Sequence, residues 1–184
     1  MISRKSHQRG FTLIEVVLAV SLLAIGLLAC TGLVVIGVAG NTRNQNDSGG
    51  TLVSQMVIEQ MNTLSSNSGS FTMTDCNGTA WTVTMTAASQ GAGGAGATIN
   101  TTFGTIDFTE SKSSVPAGYQ MDYVMCGSQT VHQATYDVRW NVMSITGEPN
   151  TNLITVSARQ EATANGASII YAPPVTLRTI QGPQ

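Results

Sequence analysis

Charged side chains are scarce in this sequence. Lys, Arg, Asp and Glu make up 10% of its 184 residues, and 42% of the residues are hydrophobic; soluble proteins typically carry roughly 25% charged residues. This composition excludes a disordered acidic or basic tail protein, because disorder requires high charge and low hydrophobicity. The formal net charge is −2, and no basic cluster follows the first ten residues. We therefore predict no nucleic-acid binding driven by phosphate neutralisation.

Residue types that usually carry out catalysis or bind metals are also rare. His132 is the only histidine outside the first ten residues, and one histidine does not complete a convincing Ser/His/Asp arrangement. The scattered acids lack the paired spacing of glycoside hydrolases, and no CxxC pair suggests zinc. These acids are Asp107, Glu110, Asp122 and Glu148. The sequence thus predicts no enzyme, no metal site and no cofactor.

The first forty residues combine a basic start with a long apolar run. Arg4, Lys5 and Arg9 precede residues 11–40, which contain a single charge, Glu15. A helix of that length extends about 45 Å and crosses a hydrocarbon layer of about 30 Å. The run is longer than that of a secretory signal peptide. It therefore predicts a retained single-pass membrane helix, with the basic amino end in the cytoplasm and the remainder outside.

The sequence GFTLIE at residues 10–15 resembles the class III signal of type IV prepilins. The resemblance implies a leader (residues 1–10) that a prepilin peptidase removes by cutting between Gly10 and Phe11. It also implies that a methyltransferase N-methylates the new Phe11 amine. Glu15 would then neutralise the amine of a neighbouring subunit inside an apolar helix bundle and set the register between subunits. Residues 11–40 would form the transmembrane and assembly helix.

A polar stretch at residues 41–50 ends in Gly49 and Gly50 and is interpreted as a hinge with a break in the helix. A helical pattern then resumes over residues 51–65 and begins the globular domain, residues 51–184. Its apolar residues recur every three or four positions, which predicts a face covered by a sheet. They are Leu52, Val53, Met56, Val57, Met61 and Leu64.

Alternating apolar and polar residues predict the strands of this domain. The predicted strands cover residues 81–87, 106–108, 119–125, 136–142 and 154–158, with a possible edge strand at 169–171. Residues 90–97 (QGAGGAGA) are predicted to form a flexible loop, since no Lys-Ser or Lys-Thr follows to make a phosphate site. The pattern indicates an α+β class, with the apolar stripe packed on an antiparallel sheet. This agrees with the pilin fold that the prepilin resemblance implies, in which the C-terminal half of a long transmembrane helix packs on the sheet.

Two of the three cysteines are expected to pair. Cys76 and Cys126 lie in the part predicted to be outside, where oxidising conditions favour a disulfide. Closing that loop would stabilise the fold by about 4 kcal/mol in the chain-entropy model. Cys30 lies in the apolar helix and is interpreted as a packing residue. Three Asn-x-Ser/Thr triplets, at Asn46, Asn77 and Asn100, are expected by chance in so polar a chain and carry little weight.

The leader, the helix repeat at residues 52–62 and the strand pair YDVRWNV (136–142) and ITVSARQ (154–160) most resemble minor pilins of the PilV kind. It implies a structural subunit that waits in the inner membrane with its C-terminal domain in the periplasm, then joins a type IV pilus or its priming complex at the cell surface. Its partners would be other pilin subunits and the inner-membrane assembly platform, and it would support pilus assembly, adhesion, motility or DNA uptake. The alternatives are a pseudopilin of a type II secretion system and a single-pass membrane-anchored envelope binding protein or enzyme.

Overall fold

The computed structural model describes residues 11–66, 69–126, 134–161 and 173–183. The chain divides into two units, Met1–Thr42 and Arg43–Gln184. One helix, α1, runs without interruption over Leu13–Thr63. Its end agrees with the predicted end of the helical pattern. The break predicted within residues 41–50 is wrong, because α1 continues through this stretch.

The Gly49–Gly50 pair has a packing role in α1. Both glycines are buried, and a Cβ added at Gly49 would lie 1.9 Å from the Tyr136 hydroxyl oxygen. At Gly50 the nearest atom, Cγ2 of Val175, would be 3.4 Å away. Glycine costs about 1 kcal/mol relative to alanine inside a helix. Here it lets a tyrosine side chain approach the helix backbone, so the residues interpreted as a hinge are a contact between helix and sheet.

The buried face of α1 is narrower than the sequence predicts. Val53, Val57 and Met61, spaced by four residues, are fully buried. Leu52 and Met56 belong to the same predicted stripe but are 51% and 40% exposed. Successive helix positions are about 100° apart, so these two side chains lie beside the covered face and not on it.

Ten strands follow α1 in the described part of the chain. They are β1 (Ser70–Thr74), β2 (Ala80–Thr84), β3 (Ala88–Ser89), β4 (Ala95–Gly96), β5 (Ile99–Asn100), β6 (Thr105–Ile106), β7 (Gln120–Met125), β8 (Ala134–Ser144), β9 (Asn152–Gln160) and β10 (Val175–Gln181). Short 3-10 turns lie at Gln90–Ala92 and Lys112–Ser114.

The main sheet is built around β8. Its strand order is β10-β9-β8-β3, and β4 and β7 also pair with β8. All of these pairs are antiparallel except β3–β8. The predicted β8–β9 hairpin is confirmed, with Trp140 opposite Val156, and β7 agrees with the strand predicted over 119–125. β1–β2 and β5–β6 form two separate ribbons.

Several strands differ from the sequence-based expectations. The strand predicted over 81–87 ends at Thr84 as β2, and that at 106–108 is only the two-residue β6. Residues 90–97 are not a flexible loop, since they contain a 3-10 turn and β4. Neither β1 nor β10 was predicted, and the edge strand expected at 169–171 lies outside the described residues.

The core lies between α1 and one face of the main sheet. Val138, Trp140 and Val142 alternate along β8 and are fully buried, as the period of two requires. At the far end of α1, Nε2 of the Gln181 side chain donates to the carbonyl oxygens of Met61 and Leu64, at 2.6 and 2.7 Å. This amide satisfies carbonyl groups that a helix end otherwise leaves unpaired. The predicted α+β class is confirmed, and the arrangement is consistent with a pilin fold.

Candidate functional site

The first unit exposes an apolar helix. From Phe11, which is 83% exposed, to Gly40 no side chain is buried. The hydroxyl groups of Ser21 and Thr31 donate to backbone carbonyl oxygens of their own helix at 2.8 Å, so they present no unsatisfied polar group to an apolar environment. The composition and length of this helix are sufficient to cross a membrane.

Glu15 is the one charged side chain between Phe11 and Thr42, and α1 holds it in its first turn. The backbone N–H groups of Glu15 and Val16 donate to the Thr12 carbonyl at 3.1 and 3.3 Å. The Thr12 hydroxyl lies 3.5 Å from Oε2 of Glu15. Thr12 and Glu15 have the spacing of a capping box, which the sequence analysis missed. A carboxylate here also interacts favourably with the positive end of the helix dipole.

Of the two residues of the predicted processing site, Phe11 lies two positions before the start of α1, and Gly10 lies outside the described residues. The glycines at 26, 32, 37 and 40 do not interrupt α1, and no atom lies within 4 Å of a Cβ added at any of them. At these positions the helix surface carries no side chain and is not covered by other residues. Small residues of this kind are found where helices approach one another closely.

In the second unit, a disulfide joins Cys76 to Cys126, with Cα atoms 5.3 Å apart. The Cys76 N–H also donates to the Val124 carbonyl at 3.1 Å. The bond connects the turn between β1 and β2 to the end of β7. It therefore ties the small ribbon to the main sheet. Cys30 is unpaired and exposed on the apolar helix. Within the described residues it is therefore not packed in the way that the sequence predicts.

Asp75 organises the turn that carries Cys76. Oδ1 accepts the backbone N–H groups of Asn77 and Thr79 at 2.9 Å each, and Oδ2 accepts Nε1–H of Trp81 at 3.1 Å. Burial alone raises the pKa of the Asp75 carboxyl, but these hydrogen bonds outweigh it and hold the pKa below its usual value. Asp75 therefore has a structural role in this turn.

A charged cluster that the sequence analysis missed lies on the second face of the sheet. Asp137 and Arg139 are almost fully buried and form two hydrogen bonds of 2.9 and 3.0 Å. Arg139 also donates to the Glu110 carbonyl at 2.7 Å. The guanidinium carbons of Arg139 and Arg159 lie 4.9 and 4.7 Å from the centre of the Phe108 ring. This geometry allows two cation–π contacts with one ring.

A lysine adds to this cluster from the 3-10 turn before β7. Lys112 bridges the carboxylates of Asp122 and Glu161. Partial burial lowers the pKa of Lys112, and hydrogen bonds to the two carboxylates raise it. The hydrogen bonds have the larger combined effect, so the pKa of Lys112 lies above its usual value. Every acid in the cluster has a cationic partner. The arrangement connects the segment between β4 and β7 to the sheet.

Two further candidate acids, Glu110 and Asp107, accept hydrogen bonds from nearby groups in the described part of the chain. Glu110 accepts the Thr98 N–H at 3.0 Å, and Asp107 accepts both the hydroxyl and the N–H of Thr109. His132 lies outside the described residues. In the described ranges, no group of three or more His, Cys, Asp or Glu side chains could hold a metal ion.

The comparison with protein families agrees with the geometry of the first unit. A model of the prokaryotic N-terminal methylation motif matches residues 5–31, a range that includes Gly10, Phe11 and Glu15. No curated protein and no solved structure matches the chain. The motif suggests a structural protein that a prepilin peptidase processes and that associates with pilins in a membrane. The match and the apolar helix together support a prepilin-like protein, either a pilin or a pseudopilin.

Proposed function

We propose that the chain is a minor pilin of a type IV pilus, incorporated into the pilus or its priming complex through its N-terminal helix. The observation that carries the proposal is the position of Glu15, a single carboxylate in the first turn of an apolar helix that begins directly after a prepilin cleavage sequence. In this role the globular domain supplies contacts on the filament surface, in support of pilus assembly, adhesion, motility or DNA uptake.

Electrostatics supports a pairing between subunits. A carboxylate near the bilayer costs a few kcal/mol unless it is paired, and residues 11–42 contain no cationic side chain. The next cation in the sequence is Arg43. The Phe11 amine created by cleavage is close in sequence and positively charged. When two such helices lie side by side, the amine of one can neutralise Glu15 of the other.

The glycines and the apolar surface support helix packing as the assembly mechanism. In a membrane this surface contacts lipid, and in a filament it contacts the helices of other subunits, which are equally apolar. The open positions at Gly26, Gly32 and Gly37 allow such helices a close approach. The peptidase, the assembly platform and the other pilins are the partners that this proposal requires.

The test compares Glu15→Gln with Glu59→Gln in full-length protein produced in the native host. Glu59 is an exposed acid on the same helix, in the globular unit, so the second substitution is the matched control. We expect both variants in the membrane fraction and only Glu59→Gln in sheared filaments, as measured by quantitative mass spectrometry. Equal incorporation of the two variants would refute the role of Glu15.

The same preparations separate the alternatives. A pseudopilin would be absent from sheared pili, and its deletion would block secretion through the type II apparatus instead of pilus assembly. A simple membrane-anchored protein would retain Met1, would be absent from both assemblies, and would be insensitive to substitution of Glu15.

A further inference from the structure

The three Asn-x-Ser/Thr triplets differ in their structural settings. Such a triplet is an acceptor for N-linked glycans when it lies in a surface loop of an exported protein. Asn46 is part of α1, so its backbone is helical. Asn100 uses its side-chain oxygen to accept the N–H groups of Thr102 and Phe103, at 3.0 and 3.4 Å. Neither of these asparagines is presented in an open loop.

Asn77 is presented in an open turn. The tight connection between β1 and β2 places Asn77, Gly78 and Thr79 at its tip, all exposed. Gly78 has φ = +79° and no atom within 4 Å of an added Cβ. Among the described residues, none hydrogen-bonds to the side-chain amide of Asn77. The amide nitrogen and the Thr79 hydroxyl two residues later are therefore both accessible from solvent.

Hydrogen bonds and a disulfide fix the backbone of this turn. The backbone N–H groups of Asn77 and Thr79 donate to Asp75, and Cys76 is bonded to Cys126. A large group attached at Asn77 would project into solvent and touch neither the ribbon nor the core.

We propose that Asn77 is the acceptor of an N-linked glycan. The donor is an oligosaccharide joined to a polyprenyl pyrophosphate, and a membrane oligosaccharyltransferase brings the two together. The side-chain nitrogen of Asn77 bonds to the anomeric carbon, the bond from that carbon to the pyrophosphate breaks, and the amide proton passes to a base of the transferase. Oxidation states do not change, and the lipid pyrophosphate is the leaving group.

This proposal rests on the proposed function in one respect only, because the globular domain must be exported to be modified. The test is peptide mapping of the full chain purified from native membranes. After reduction and alkylation, chymotryptic cleavage beyond Phe71 and Trp81 releases a peptide, residues 72–81, in which Asn77 is the sole asparagine. We expect this peptide to carry an oligosaccharide on Asn77. The modification should disappear in Asn77→Gln and Thr79→Ala, persist in Thr79→Ser, and be unchanged in the control Asn100→Gln.

An unmodified peptide, or a sugar located on Thr79, would overturn the proposal. The N-terminus of the same sample separates this result from failure of the proposed function. A chain that begins at Phe11 but carries no glycan would refute only the acceptor site, whereas a chain that begins at Met1 would refute processing as a prepilin.

Discussion

Replacing Gly49 by alanine tests whether the sheet contacts α1 at the position interpreted from the sequence as a hinge. Two effects of opposite sign are involved. Alanine is favoured over glycine inside a helix by about 1 kcal/mol, but the new Cβ would lie 1.9 Å from the Tyr136 hydroxyl oxygen and 2.7 Å from its Cζ. Tyr136 is 3% exposed, so its ring has little room to move. Overpacking of this kind typically costs about 1–3 kcal/mol, and the larger cost should dominate.

Gly50→Ala is the matched control, because its Cβ meets Val175 at an ordinary contact distance of 3.4 Å. We expect the control to melt at the same temperature as the wild type or higher, and Gly49→Ala to melt about 3–10 °C below the control. Thermal unfolding of the full chain in detergent, followed by the fluorescence of the buried Trp140, measures the difference. Adding Tyr136→Phe to Gly49→Ala should recover part of the loss. If Gly49→Ala and Gly50→Ala are equally stabilising, Tyr136 does not contact the helix at this point.

Three further predictions concern the stability of the globular domain. Arg139→Met leaves Asp137 buried without its main partner and should cost about 3–5 kcal/mol of unfolding free energy, whereas the exposed Arg178→Met should cost under about 1 kcal/mol in the same denaturant titration. Hydrogen bonds lower the pKa of Asp75 in the folded state. They therefore stabilise the fold at pH values above about 3.8, the usual pKa, and this contribution is lost as the pH falls below that value. Asp75→Asn should therefore lose less stability than the wild type between about pH 5 and pH 3, and equal acid sensitivity would contradict this. Replacing both Cys76 and Cys126 by serine should lower the unfolding free energy by about 2–4 kcal/mol, and an unchanged denaturation midpoint would show that the bond is absent.

Local patterning explains what could be predicted of the fold. The alternation of Val138, Trp140 and Val142 has the period of a strand with one buried face, and the spacing of Val53, Val57 and Met61 has the period of a helix. Both patterns depend only on near neighbours in the chain. The GFTLIE sequence likewise carries its information within six residues, so Gly10, Phe11 and Glu15 could be identified without any knowledge of the fold.

The remaining features depend on contacts between distant segments. Asp137, Arg139 and Asn141 alternate with apolar residues, as on a solvent-facing strand surface, yet all three are buried. Phe108 and Glu110 contact Arg139, and the Asn141 amide donates to the carbonyl oxygens of Gly93 and Ala97. An opposite charge at Arg159 was the available signal, but its register with Asp137 is set only by the β8–β9 pairing. The Gly49–Gly50 pair was misinterpreted for the same reason. Gly49 contacts Tyr136, which is distant in the sequence, so the local pattern around the glycines could not predict this contact.

The mature N-terminus tests prepilin-like processing most directly. Intact-mass and N-terminal peptide measurements on the protein from native filaments and membranes should find a chain that begins at N-methylated Phe11, with residues 1–10 absent. A chain that retains Met1, or one cut after Gly40, would contradict processing at Gly10–Phe11 and with it the pairing of Glu15 with a neighbouring amine.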